Sequence, residues 1–317
     1  MLSRIAESLF WIGRYIERAD DTARILDVQT QLLLEDGSVD ETQTCRDLLS
    51  SMGVEPGEAA GFGIDMSGPV TIEQVHRVLL YDPASPSSIA AVLGSAREAA
   101  RGARETLTVP LWEVINTSWR PIPSGHFLTL RPPYVFQWVR ERAALITGTA
   151  DATMTRDESW QFIMLGRTIE RADMTSRLVA TTALSGAADH WTSALRASGS
   201  YDAFLRTYRG VETDRAAAEF LLLDRLFPRS VVFSLDRAEQ ALDNLNGDPR
   251  RAGFQDEAHR LLGRVRAELE YRALPDLLDD LPAEMERLQR TCAAATDAIS
   301  RRYFAGAEAL AWKGVGA

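Results

Sequence analysis

One charged pattern occurs twice. "GRYIERADDTAR" occupies 13–24 and "GRTIERADMTSR" occupies 166–177. With an offset of 153, Gly13, Arg14, Ile16, Glu17, Arg18, Ala19, Asp20, Thr22 and Arg24 return as Gly166, Arg167, Ile169, Glu170, Arg171, Ala172, Asp173, Thr175 and Arg177. Successive residues turn by about 100° on a helix, so spacing decides which of them meet a neighbour. Ile5, Leu9, Ile12, Ile16, Ala19, Ala23 and Leu26 then form one apolar stripe. In the second copy the stripe is Phe162, Leu165, Ile169, Ala172, Ser176 and Val179. Small residues at its centre let another helix approach closely. Charges at identical offsets flank each stripe, which a merely solvated surface would not require. The expected consequence is that the two helices pack together and Glu17 meets Arg171 while Glu170 meets Arg18. Removing one partner of a buried pair costs about 3–5 kcal/mol, so such positions resist change.

A second echo runs at an offset of 142. "LLYDPASPSSIAAVLGSAREA" (79–99) matches "LLLDRLFPRSVVFSLDRAEQA" (221–241), and each copy reads as a loop feeding a proline into a helix start. Two motifs in the same order predict an internal duplication with halves of about 1–150 and 151–317. The spacing is too long for a solenoid repeat. Ala, Leu, Arg and Glu dominate with helical spacing, and alternating β-branched runs do not occur. The expected fold is all-α, one domain over 1–317, a single helical bundle built from two pseudo-symmetric halves. Helices are expected near 3–34, 41–51, 71–81, 86–117, 133–148, 155–186, 201–209, 213–225, 228–245, 252–273 and 276–303. Segments 52–69 and 119–134, rich in Gly and Pro, read as irregular.

The chemistry-bearing residues exclude more than they identify. The formal net charge of the 317 residues is −10, which opposes a general nucleic-acid or anionic-membrane surface. The two cysteines, Cys45 and Cys292, form no metal or disulfide pattern. The four histidines have no triad or metal spacing, and no phosphate-binding glycine loop or nucleophile elbow occurs. The N-terminal stretch lacks the apolar core of a signal peptide and no run is long enough to span a membrane, so a cytoplasmic location is expected. Glu17, Asp20, Glu170 and Asp173 could bring four carboxylates together, but carboxylate-bridged di-iron bundles use Glu-x-x-His. Here arginines fill the neighbouring positions, so no metal and no cofactor are expected. The ten motif residues Arg14, Glu17, Arg18, Asp20, Arg24, Arg167, Glu170, Arg171, Asp173 and Arg177 are candidates for structural pairing or for a ligand site. Arg97, Arg101 and Arg104 form a helical stripe that could grip an anion or a partner. Arg156 and Asp157 belong to a polar cluster before the second motif, where Thr155 and Glu158 fit a capping box.

At "FWIGRYIERADDTARILDV" (10–28) and "DATMTRDESWQFIMLGRTIERADMTSRL" (151–178) the chain resembles the bacterial alpha-E family, a helical domain named for its Glu-Arg motif. The resemblance continues through "LWEVIN" (111–116), "YVFQWVRERAALITGTADATM" (134–154), "FPRSVVFSLDRAEQAL" (227–242) and "AISRRYF" (298–304). Glu17-Arg18 and Glu170-Arg171 match the motif that names the family. The resemblance implies an association with circularly permuted ATP-grasp ligases, and with transglutaminase-like proteases as further neighbours. The implied role is an accessory or binding subunit of an amide-ligase system that handles a peptide-like substrate or product. One alternative is an enzyme acting on that product through Glu17, Glu170 or Asp157. Another is a purely structural scaffold for the ligase complex.

Overall fold

The computed structural model describes residues 1–35, 37, 39–185, 189–210, 213–246 and 256–304. Among these residues the chain is all-α, with no strand. In order, the helices are α1 (Ser3–Glu35), α2 (Glu41–Ser51), α3 (Pro56–Gly61), α4 (Ile72–His76), α5 (Ile89–Gly102), α6 (Val109–Trp119), α7 (His126–Thr129) and α8 (Pro132–Thr153). Then follow α9 (Glu158–Ser185), α10 (Asp189–Ala197), α11 (Tyr201–Thr207), α12 (Asp214–Leu223), α13 (Val231–Asn246), α14 (Glu257–Tyr271), α15 (Leu274–Leu278) and α16 (Leu281–Ile299). Single π-helical turns, Arg77–Tyr81 and Ser300–Phe304, extend α4 and α16.

The two motif helices, α1 and α9, cross at their glycines. A Cβ built on Gly13 would overlap the carbonyl oxygen of Ile163 and stand 2.8 Å from the amide nitrogen of Arg167. One built on Gly166 would overlap the carbonyl oxygen of Phe10. Only a residue without a side chain permits that backbone-to-backbone approach. The expected stripes are buried in full: Ile5, Leu9, Ile12, Ile16, Ala19, Ala23 and Leu26 on α1, and Phe162, Leu165, Ile169, Ala172, Ser176 and Val179 on α9.

Each motif helix carries its own core. α1 packs on α5 and α8, with α6 bridging those two; α9 packs on α13 and α16, with α14 bridging them. One apolar cluster gathers Leu9, Leu93, Ile115, Phe136 and Ile146; the other gathers Ile169, Phe220, Leu235, Leu262 and Leu288. The loops of the second echo share their bonding. Asp82 Oδ1 accepts from the Ala84 amide at 2.9 Å, and Asp224 Oδ1 from the Leu226 amide at 2.8 Å. Ser88 and Ser230 cap α5 and α13 through their hydroxyls, accepting from the Ala91 and Phe233 amides at 3.0 and 3.1 Å. Serine therefore starts each helix, and Pro86 and Pro228 lie just outside rather than in the first turn.

Other expectations are corrected. The helix expected over 86–117 is two helices, because Pro110 has no amide hydrogen and is tolerated only in the first turn of α6. Helix α9 is capped by Asp157, whose carboxylate accepts from the Ser159 amide at 2.9 Å, and Thr155 takes no part in a capping box. The irregular segments contain the short helices α3 and α7. Helix α10, unexpected from the sequence, packs on α1. Residue 186 of one expected helix and 252–255 of another lie outside the described residues.

The crossing sets a clear test. Gly13→Ala or Gly166→Ala should cost at least about 2 kcal/mol in urea unfolding, as overpacking against backbone does. Gly148→Ala, where a Cβ meets nothing within 4 Å, should be neutral or stabilising by up to about 1 kcal/mol.

Candidate functional site

Just past the glycine crossing, the two helices exchange charges reciprocally. Glu17 Oε1 and Oε2 accept from Arg171 Nε at 2.6 Å and Nη2 at 2.8 Å. Glu170 Oε1 and Oε2 accept from Arg18 Nε at 2.5 Å and Nη2 at 3.1 Å. Each carboxylate thus takes both prongs of a guanidinium from the opposite helix, the geometry that gives arginine its strength as a carboxylate partner. A second arginine, four residues before the first, adds to each: Arg14 Nε reaches Glu170 at 2.5 Å and Arg167 Nε reaches Glu17 at 3.3 Å. Arg14 also donates to Thr296 Oγ1 at 2.7 Å. The Glu170 side chain is wholly excluded from solvent and that of Glu17 is 4% exposed, so neither is a surface pair.

The reciprocity breaks at Arg229, which sequence reasoning missed. Its guanidinium pairs with Glu17 at 2.9 Å and also with Asp20 and Asp21. Two bonds fix its backbone: Arg171 Nη1 to the Pro228 carbonyl at 3.0 Å, and Thr175 Oγ1 to the Arg229 carbonyl at 3.1 Å. At the offsets of the two echoes Ser87 stands in place of Arg229 and Met174 in place of Asp21. Neither the acid nor the base thus has a counterpart at the matching position of the other copy of its motif. That joint departure from both repeats was the available signal.

Electrostatics follows from this wiring. Burial alone would raise the Glu17 carboxyl, but Arg171, Arg229 and Arg167 outweigh it and hold the group well below the ordinary range. Burial likewise opposes Arg14 and Arg18 at Glu170, and the arginines win, bringing it to about 2. Asp21 goes the other way. Burial lifts its carboxyl to about 7 against the pull of Arg229, with Glu17 and Asp20 adding to the rise. Asp21 Oδ2 and Asp20 Oδ1 are buried without a hydrogen-bond partner. Glu17, Asp20 and Asp21 lie close enough to ligate a cation, but Arg229 is bonded to all three and supplies the positive charge itself.

The remaining candidates are placed as follows. Arg24 Nε bonds Asp20 at 3.1 Å, and Arg177 Nε bonds Asp173 at 2.9 Å with Nη1 on the Ser51 carbonyl at 3.2 Å. The arginine stripe is not continuous, since Arg104 lies beyond the end of α5. Arg97 sits over the Trp119 ring and bonds Asn116; Arg104 sits over Trp112; Arg101 bonds Glu98 in solvent. Arg156 lies over Trp160 and bonds Asp151, and Asp157 is spent as a cap. A buried His76, held by Thr30 Oγ1 at 2.9 Å, was not singled out in the sequence; burial lowers its imidazole to about 4.

Two outcomes follow. Arg229→Ser should destabilise by about 3–5 kcal/mol by stranding buried carboxylates, and adding Asp21→Met, which puts the residues of both matching positions together, should recover part of that loss in urea unfolding. Stability from these groups should also be greatest at about pH 4.5. Glu17 and Glu170, depressed from 4.5, contribute stability present above that value and lost as pH falls toward 2. Asp21, raised from 3.8 to about 7, contributes stability that is full below 3.8 and lost as pH rises through about 7. Asp21→Asn should flatten the decline between about pH 4 and 7.

A family model described as a predicted alpha-helical domain with a conserved ER motif, Alpha-E, matches residues 1–304. The uncharacterized proteins Mb2597 of Mycobacterium bovis and Rv2567 of Mycobacterium tuberculosis are each 26% identical over 301 residues, covering 89% of this chain and 34% of their own length. The chain therefore spans about a third of the length of the curated relatives it matches. No solved structure matches it. With its Glu-Arg pairs at the crossing of α1 and α9 and the match running through nearly all of the chain, the protein belongs to the Alpha-E family.

Proposed function

We propose that the chain is an accessory, binding subunit of a cytoplasmic ATP-grasp amide-ligase system that handles a peptide-like substrate or product. Its partner in this reading is a circularly permuted ATP-grasp ligase, with a transglutaminase-like protease as a second. The observation that carries the non-catalytic role is the state of the motif carboxylates. A general acid or base needs a proton affinity near the working pH and access to substrate. Glu17 and Glu170 have neither, since each is buried and gripped by at least two arginines. Asp157 is engaged at the start of α9. The length of the mycobacterial relatives adds support, because the matching segment there is one part of a much longer chain. The repeated motifs and matched packing of α1 and α9 support an origin by duplication of one half.

Titration of the purified chain into the ATP-grasp ligase of the same genome tests this reading. The expected result is a complex with Kd of about 1 μM or tighter, worth about 8 kcal/mol. The chain alone should turn over neither an acyl phosphate nor a peptide. Turnover by the chain alone, or absence of any complex, would overturn it.

A further inference from the structure

The two motif arginines that end each repeat, Arg24 and Arg177, face unlike surroundings. Each bonds the aspartate four residues before it. Each also lies beside a glycine of positive φ that follows a helix: Gly199 after α10 and Gly53 after α2. A Cβ at Gly199 would stand 2.8 Å from Arg24 Nη1, whereas at Gly53 the distance to Arg177 Nη1 is 3.8 Å. The chain closes on Arg24 and stands off from Arg177. Beyond Arg177 a cleft of about 740 Å³ opens between α2, the C-terminal half of α9 and the start of α16. That volume lies in the range of small-ligand sites.

The lining states what would fit. Asp47, Asp280 and Glu286 put three carboxylates on the walls; Glu286 is shared with Arg290 and Arg177 is offset by Asp173, so the walls keep a net negative charge. Between them Ser50, Thr181 and Gln289 offer hydroxyl and amide groups of the kind that pair with peptide bonds. Past Arg177 the cleft continues into a narrower pocket of about 70 Å³ walled by Ile25, Leu32, Leu48 and Leu178. We propose that this cleft binds a short basic peptide, its ammonium groups at the acidic walls and one aliphatic side chain in the adjoining pocket. This names the ligand class for the peptide-handling role proposed above and rests on that reading. Binding here does not require the ligase, so the two can fail separately.

Isothermal titration of the full chain with the tripeptide Lys-Leu-Lys, and with Glu-Leu-Glu as its charge-reversed counterpart, tests the assignment. Lys-Leu-Lys should bind and weaken as salt rises, because exposed charge pairs are screened. Glu-Leu-Glu should not bind. Asp47→Asn with Glu286→Gln should weaken Lys-Leu-Lys at least tenfold. Both side chains lie outside the buried core, so the variant should melt like the parent. Glu257→Gln, on α14 and outside the cleft lining, should leave binding unchanged. Equal binding of the two peptides, no binding of Lys-Leu-Lys at millimolar concentration, or parent-like binding by the double variant would overturn the proposal.

Discussion

Everything in this molecule is hung on the place where α1 and α9 touch backbone to backbone. Gly13 and Gly166 let the helices approach until the carbonyls of Ile163 and Phe10 fill the space a methyl group would need. One turn further on, that closeness puts Glu17 within reach of Arg171 and Glu170 within reach of Arg18. Glycine, glutamate and arginine in the motif are therefore one device: the first sets the distance that the other two require. Each motif helix keeps its outer faces for its own set of partners, so the crossing also joins the two cores.

Burying this many charges is costly, and the wiring shows how the cost is met. A single buried ion pair often fails to repay its desolvation. Here Glu170 receives Arg14 and Arg18, while Glu17 receives Arg167, Arg171 and Arg229. Lysine could not replace Arg18 or Arg171, because a point charge cannot donate two parallel bonds to one carboxylate. The least satisfied spot is Asp21, whose second oxygen has no hydrogen-bond partner and whose carboxyl is lifted by burial. The network is thus saturated at its centre and weak at one edge.

Much of this was legible in the sequence because it is periodic. The stripes, the helix–helix contact and the Glu–Arg pairs all follow from a 3.6-residue repeat read twice. What was illegible breaks the repeat. Arg229 and Asp21 have no counterparts at the echo offsets, and nothing local to "FPRS" points across 208 residues to α1. The split of the helix at 103–108 was obscured by good helix formers, although Pro110 marked the restart. Helix α10 was legible in principle: Trp191, Ala194 and Leu195 are buried at helical spacing. The arginines at 97 and 104 read as a stripe because the sequence does not show Trp119 and Trp112 beneath them. The family match and the all-helical fold fit the reading made from the doubled motif.

The central claim is that the Glu-Arg motif is a clasp between two helices, its charges used against each other. A double-mutant cycle on Glu170→Gln and Arg18→Met, followed by urea unfolding, measures this directly. The account predicts a coupling of about 1.5 kcal/mol or more, with the double variant clearly more stable than the sum of the single losses implies. Additive losses within about 0.5 kcal/mol would contradict it, because residues that hold each other cannot be removed independently.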